Sequence, residues 1–277
     1  MTEILLANHI LLFIIIMLIT AIPVGFFAGL FGIGGGLITV PFLFFIFENL
    51  NIDNQYVMHL AVGTSFAIII PTSIVSVLTH KKHNAVDINI IKNYGFFVIS
   101  GVLVGTFLAA LMQTKSLIVF FSIVVYFLGT YLLLLQEKTK KIKKKFGFYS
   151  KIIFGFISGF ISAPMGIGGA VMNVPILRYF GYPINIAIGS AAAVGFIIAI
   201  FGALGFLVSG TVLKTNLPLS IGFINIPAFL IFVPITTFMA RVGANTVHKM
   251  DKVKSQRMFG IFLYVIGTIF LYRFLSL

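Results

Sequence analysis

Glycine dominates the two places in this chain where side chains and backbone could do chemistry. The run Gly32-Ile33-Gly34-Gly35-Gly36 leads to Thr39, Val40 and Pro41, and the run Gly166-Ile167-Gly168-Gly169 leads to Asn173, Val174 and Pro175. Glycine lets the backbone take left-handed conformations and approach a ligand closely. Helical sequence resumes at about Leu37 and Ala170, and a helix that starts there presents unpaired N–H groups and the positive end of its dipole, which together suit an anion. Thr39 and Asn173 stand at matching places after the two runs, and a second matched block, Ala61-Val62-Gly63-Thr64 against Ala187-Ile188-Gly189-Ser190, adds Thr64, its neighbour Ser65, and Ser190. These hydroxyl and amide groups could donate to a bound oxyanion. The competing use of each is a hydrogen bond to a neighbouring helix or to the carbonyl four residues back, and that of the glycines is close helix packing. The candidate substrate-binding set is Gly32, Gly34, Gly35, Gly36, Thr39, Thr64, Ser65, Gly166, Gly168, Gly169, Asn173 and Ser190.

Other chemistries are poorly provided for. Cysteine is absent, which removes disulfides, thiol catalysis and thiolate metal sites. The six acidic residues, Glu3, Glu48, Asp53, Asp87, Glu137 and Asp251, all lie at the ends of apolar segments or between them, so an intramembrane carboxylate relay is not expected. His59 reads as an interfacial histidine and Arg178 as an anchor at the cytoplasmic interface; His80, His83 and His248 fall in polar joints. Ser-His-Asp and His-Glu-x-x-His patterns and a P-loop lysine are missing, so neither an enzyme nor a metal or other cofactor is expected. The net charge of +13 would suit nucleic acid in a soluble protein. Here the lysines cluster between apolar segments, where they set membrane topology and touch acidic lipid rather than nucleic acid.

The elements that must carry these residues are membrane helices. The chain of 277 residues is 60% hydrophobic and 9% charged, far below the charge of a soluble domain, about 25%. Apolar segments run over about 4–31, 37–47, 57–79, 94–112 and 116–135, then 152–163, 170–180, 184–208, 217–240 and 258–275. The runs are long and apolar on all sides, which selects helices over barrel strands. Lys and Arg crowd the joints at 80–93, 136–151 and 241–257 and are missing from 48–56, which places the first three in the cytoplasm and the last, with both termini, outside.

The halves are related. Residues 25–43 and 159–177 are identical at nine of nineteen ungapped positions, where this composition would give roughly one in ten by chance. With five segments per half, the two copies must lie in opposite orientation, an inverted repeat of the kind that secondary transporters use. The stretches 152–163 and 170–180 are short for a span of about 20 residues. Joined by Ala163-Pro164-Met165-Gly166-Ile167-Gly168-Gly169 they read as a re-entrant hairpin, matched by 16–47 in the first half with 4–15 as a lead-in helix. The expected fold is an all-α polytopic membrane protein of two inverted repeats, each with a broken or re-entrant hairpin and about three spans, the hairpins meeting near mid-membrane. Ten simple spans is the rival. The domain limits are 1–137, a Lys-rich linker at 138–149, and 150–277.

At the glycine loops the chain resembles the TauE/SafE family of sulfite exporters. The resemblance rests on Gly29-Leu30-Phe31-Gly32-Ile33-Gly34-Gly35-Gly36 with Val40-Pro41, on Gly166-Ile167-Gly168-Gly169 with Val174-Pro175, and on the blocks at 61–65 and 187–191; it covers essentially the whole chain. One stretch departs from it, Pro234-Ile235-Thr236-Thr237 where a Pro-x-Gly-Ala pattern is common. The resemblance implies a multi-pass permease of the plasma or inner membrane that exports sulfite, sulfoacetate or related sulfonates. Its expected partners are the small anion, the bilayer and a second copy in a homodimer. A passive anion channel and a non-transporting membrane scaffold are the alternatives.

Overall fold

The structure is a computed structural model that describes residues 2–31, 35–50, 52–134, 146–246 and 252–276. Ten helices fall among them: α1 (Thr2–Phe31), α2 (Gly36–Asn49), α3 (Val57–Lys82), α4 (Ile88–Leu111), α5 (Thr114–Leu134), α6 (Phe148–Met165), α7 (Ala170–Tyr179), α8 (Ile184–Val212), α9 (Ile226–Thr246) and α10 (Lys252–Ser276). Eight of these are long and apolar enough to cross a membrane. Large apolar side chains such as Phe96, Phe107, Phe127 and Phe238 are exposed around the bundle, where a lipid solvent rather than water would meet them.

Two expectations are corrected. The segment at 4–15 is no separate lead-in helix, because α1 runs unbroken through it and through Pro23. The apolar stretch read from 217 begins as a two-strand turn, β1 (Ser220–Ile221) antiparallel to β2 (Ile224–Asn225), and α9 starts only at Ile226. Pro218 withholds a donor, and positive φ at Leu219 (51°) and Gly222 (56°) breaks the helix there. Asn225 then caps α9, its Oδ1 accepting from Ala228 N at 3.0 Å, as Asp87 Oδ1 caps α4 from Asn89 N at 2.8 Å.

Helix pairs are held by glycine. A Cβ on Gly159 or Gly101 in the α4–α6 seam would meet the carbonyls of Val98 and Phe156, and a Cβ on Gly25 or Gly29 in the α1–α9 seam would meet those of Thr236 and Ala240. Backbones that close require a residue without a side chain. The same partners therefore recur in the two halves, with α4 equivalent to α9 and α6 to α1. Each hairpin's long helix packs on a span of the other half.

Equivalent helices run against each other. Gly202 lies on Phe66 and Gly189 beside His80, so α3 and α8 are antiparallel; Gly260 meets Leu133 and Gly267 meets Tyr126, so α5 and α10 are too. α3 and α8 have the most buried spans and form the centre.

The second hairpin leaves and returns on one face. Phe146, two residues before α6, stacks on Phe180 at the end of α7, ring centroids 4.4 Å apart, and Tyr94 in the second turn of α4 lies 5.5 Å from the same ring. On that face lie Lys81, Lys82, Lys92, Lys151 and Arg178, each near an end of its helix. At the opposite end Arg273 Nε donates to Glu48 Oε1 at 2.7 Å, tying the end of α10 to the end of α2.

Candidate functional site

Both glycine runs end in a left-handed residue that starts a helix. Gly35 (φ 84°) precedes α2, Gly169 (φ 68°) precedes α7, and neither helix has a side-chain cap. In each first turn the third N–H is bonded, Ile38 N to Gly35 O at 2.9 Å and Met172 N to Gly169 O at 3.2 Å, while the N–H groups before it have no intrahelical acceptor. On the other side of the second loop the carbonyls are taken up. Gly166 (φ 64°) closes α6, Gly166 N donates to Ala163 O at 3.3 Å, Ile167 N donates to Ser162 O at 3.3 Å, and Ser65 Oγ donates to Gly166 O at 2.9 Å. The loop thus has its Gly166 carbonyl engaged, with the start of α7 following it.

The two tips meet. A Cβ on Gly36 would strike Gly166 O and the Ile167 backbone, and one on Gly195 would strike Gly168 O. Gly195 stands near the middle of α8, so the second loop crosses the centre of the bundle. Non-helical backbone at such a depth persists where protein or a polar cavity satisfies it.

The candidate residues divide into two groups. Ser190 Oγ accepts from Asp87 N at 2.9 Å and Thr64 Oγ1 accepts from Asn225 N at 2.9 Å. Each hydroxyl thereby clamps the capping residue of α4 or α9, and beside them Gly189 and Gly63 admit the carbonyls of Ala85 and Phe223. Thr39 Oγ1 donates to Gly35 O at 3.0 Å, inside its own hairpin. These three side chains and Ser65 hold the frame. Gly35, Gly36, Gly166, Gly168, Gly169 and Asn173 are at the tips; Gly32 and Gly34 lie outside the described residues.

Asn173 is different. Its Oδ1 accepts from Ser158 Oγ at 2.8 Å and from Tyr94 Oη at 2.7 Å, the single Tyr94 proton being shared with Phe154 O at 3.1 Å. The amide nitrogen is left fully buried without a partner, 3.0 Å from the place a Cβ would occupy on Gly169. Ser162, one turn beyond Ser158 on the same face of α6 and nearer the loop, also carries a buried hydroxyl without a partner. A buried donor costs free energy until it is bonded, and these two stand beside the second loop with that cost unmet.

The first half lacks this arrangement. Val24, Ala28, Thr39 and Phe232 occupy the places of Ser158, Ser162, Asn173 and Tyr94. The register for Phe232 comes from Gly159 against Val98 and Gly25 against Thr236, since Tyr94 and Phe232 each lie four residues before these partners. Tyr94, Ser158 and Ser162 were not singled out from sequence. The available signal was the polar side of the repeat comparison, where the second copy differs from the first.

His59, in the first turn of α3, is buried inside the protein. Its Nε2 donates to Ala109 O at 3.0 Å, near the end of α4, and its ring lies 5.1 Å from Phe223. Arg178 sits in the last turn of α7 and donates to Tyr182 O at 3.3 Å, away from the loop.

Comparison with known proteins agrees with the geometry. The model of the sulfite exporter TauE/SafE family matches residues 16–270. A probable membrane transporter protein of Haemophilus influenzae is 33% identical over 256 residues, 92% of this chain and 97% of that one. One from Methanocaldococcus jannaschii is 28% identical, covering 94% of this chain and 96% of its own, and one from Bacillus subtilis is 25% identical, covering 94% and 97%. No solved structure gives a significant match. With a family match along nearly the whole chain, relatives covered end to end and eight helices able to span, the chain belongs to the TauE/SafE family and is a multi-pass membrane transporter.

Proposed function

We propose that the protein is a secondary carrier that exports small sulfur oxyanions such as sulfite or sulfonates, holding the anion at the second glycine loop. The observation that carries this reading is the buried, unpartnered amide nitrogen of Asn173 facing Gly169, where α7 begins uncapped. Main-chain N–H groups at a helix start, an amide and a hydroxyl are the donors that oxygen-rich anions need. The family description supplies sulfur chemistry and direction. Alternating access is supported by the antiparallel course of α3 against α8 and α5 against α10, since inverted repeats let one bundle rock about a fixed central site.

The test is counterflow in proteoliposomes that contain the purified protein and are loaded with labelled sulfite or methanesulfonate. Efflux accelerated by the same anion outside is the expected result. Efflux without that acceleration would mean a channel, and no efflux of either anion from inserted protein would remove the sulfur reading.

A further inference from the structure

Building on that reading, we infer that the site selects by charge state: it takes oxyanions carrying a single negative charge, sulfonates and hydrogensulfite, and rejects dianions of the same shape such as sulfate. The first reason is that every group able to meet the anion is neutral. Asn173 offers an amide, Ser162 a hydroxyl, and the start of α7 its backbone N–H groups. Among the described residues the hairpin carries two basic side chains, both toward its ends: Lys151, in the first turn of α6, holds its Nζ 5.7 Å from the Phe146 ring centre, and Arg178 stands eight residues along α7 from Ala170, about 12 Å away at helical rise. The Arg178 guanidinium is turned to Tyr182 O. The nearby charge of opposite effect is Asp87, whose backbone is bonded to Ser190 on α8. Among the described residues no lysine or arginine is bonded to Asn173 or Ser162.

The second reason is the dielectric setting. The loop lies half-way along the most buried spans, and apart from Ser65, whose hydroxyl is bonded to Gly166 O, and Asn173 itself, the side chains that the glycine turn meets are the apolar Val40, Val62 and Ile198. The cost of bringing an ion into such a medium grows with the square of its charge, so a dianion pays about four times the penalty of a monoanion. The return from neutral donors grows only with the charge itself, about twofold for the same set of bonds. A neutral cradle therefore favours one charge.

The third reason is that, among the described side chains, the first hairpin adds no free donor at the places of Ser158, Ser162 and Asn173. Val24 and Ala28 cannot donate from their side chains, Thr39 Oγ1 is bonded to Gly35 O, and Phe232 replaces the tyrosine.

The experiment uses the whole protein in proteoliposomes and three probes: methanesulfonate, a permanent monoanion; sulfate, a dianion at every pH used; and sulfite, which passes from hydrogensulfite to the dianion as pH rises through neutrality. Each flux is divided by the methanesulfonate flux at the same pH, which removes any titration of the protein itself. The inference expects a sulfate ratio below about one-tenth, and a sulfite ratio that falls as pH rises. A sulfate ratio near one, or a sulfite ratio that holds constant or climbs with pH, overturns the charge selection while leaving a sulfur-anion carrier in place. Absence of flux for all three probes overturns the sulfur-anion reading and the selection together.

Discussion

At the residue scale the decisive feature is one amide with its carbonyl engaged and its nitrogen free. Tyr94 and Ser158 point Asn173 at Gly169. Tyr94→Phe removes one of those bonds and copies the residue already present at the equivalent place, Phe232, so it should fold normally. A bond of about 1 kcal/mol predicts about a fivefold loss of anion flux. Asn173→Thr copies Thr39 and removes the donor itself. Donors to charged groups are worth about 1.5–3 kcal/mol, so flux per folded protein should fall at least about tenfold, with a drop in melting temperature as Tyr94 and Ser158 lose their shared acceptor, both measured on purified protein. Thr39→Val is the control: its hydroxyl serves Gly35 O and flux should stay within about twofold. Equal losses from Thr39→Val and Asn173→Thr would show that the two loops share the work, contrary to the asymmetry of their donors. Gly169→Ala combines a left-handed backbone with contact on Ile198, a strain of about 1–3 kcal/mol, and is expected to lower both stability and flux.

At the scale of elements the mirrored clamps bear the load. Thr64 with Asn225 and Ser190 with Asp87 join a central helix to the start of a peripheral one on opposite faces of the bundle. Thr64→Val and Ser190→Ala each leave a buried N–H without its acceptor and should destabilise by about 1–3 kcal/mol, similarly in the two cases, seen as matched drops in melting temperature in detergent. The glycine runs, the matched hydroxyls and all ten apolar segments were legible in the sequence because duplication prints them twice. The start of α9 was not, because the residues of the β1–β2 turn are as apolar as a span and only Pro218 and Gly222 signal the break. Nor was the burial of His59, since a single position says nothing of its partner Ala109 fifty residues on. The hairpin geometry is open to a direct test, because the chain has no native cysteine to mask. Cysteines placed singly at Tyr149 and Tyr179, both exposed, should react with an impermeant maleimide from the same side of the membrane. One at Leu219 should react from the other. Labelling of 149 and 179 from opposite sides would make the second hairpin a full crossing.

At the scale of the molecule the halves are not two bodies joined by a linker. α6 of the second half packs on α4 of the first, α1 of the first packs on α9 of the second, and α3 and α8 form the shared centre. The sequence placed the boundary in the Lys-rich joint but gave no sign of this exchange, since an internal repeat reveals kinship and not contact. Exchange has an energetic consequence. In lipid no hydrophobic force drives helices together, and association rests on close contact of small residues; most of the glycine contacts described above lie across the halves rather than within them. A half expressed alone would therefore leave Gly25, Gly29, Gly101 and Gly159 facing lipid instead of a partner backbone. We predict that residues 1–137 and 150–277 expressed separately insert but fail to give a stable, transport-competent protein, whereas the two expressed together assemble through the α1–α9 and α4–α6 seams and recover flux without the linker. Copurification of one half through a tag on the other, followed by flux in proteoliposomes, measures this. Gly159→Leu in the second fragment should abolish copurification, because the Val98 carbonyl leaves no space for any side chain there. If instead one half alone is stable and carries anion, the seams are dispensable, and the single site at the second loop would have to be built from the second half without Tyr94.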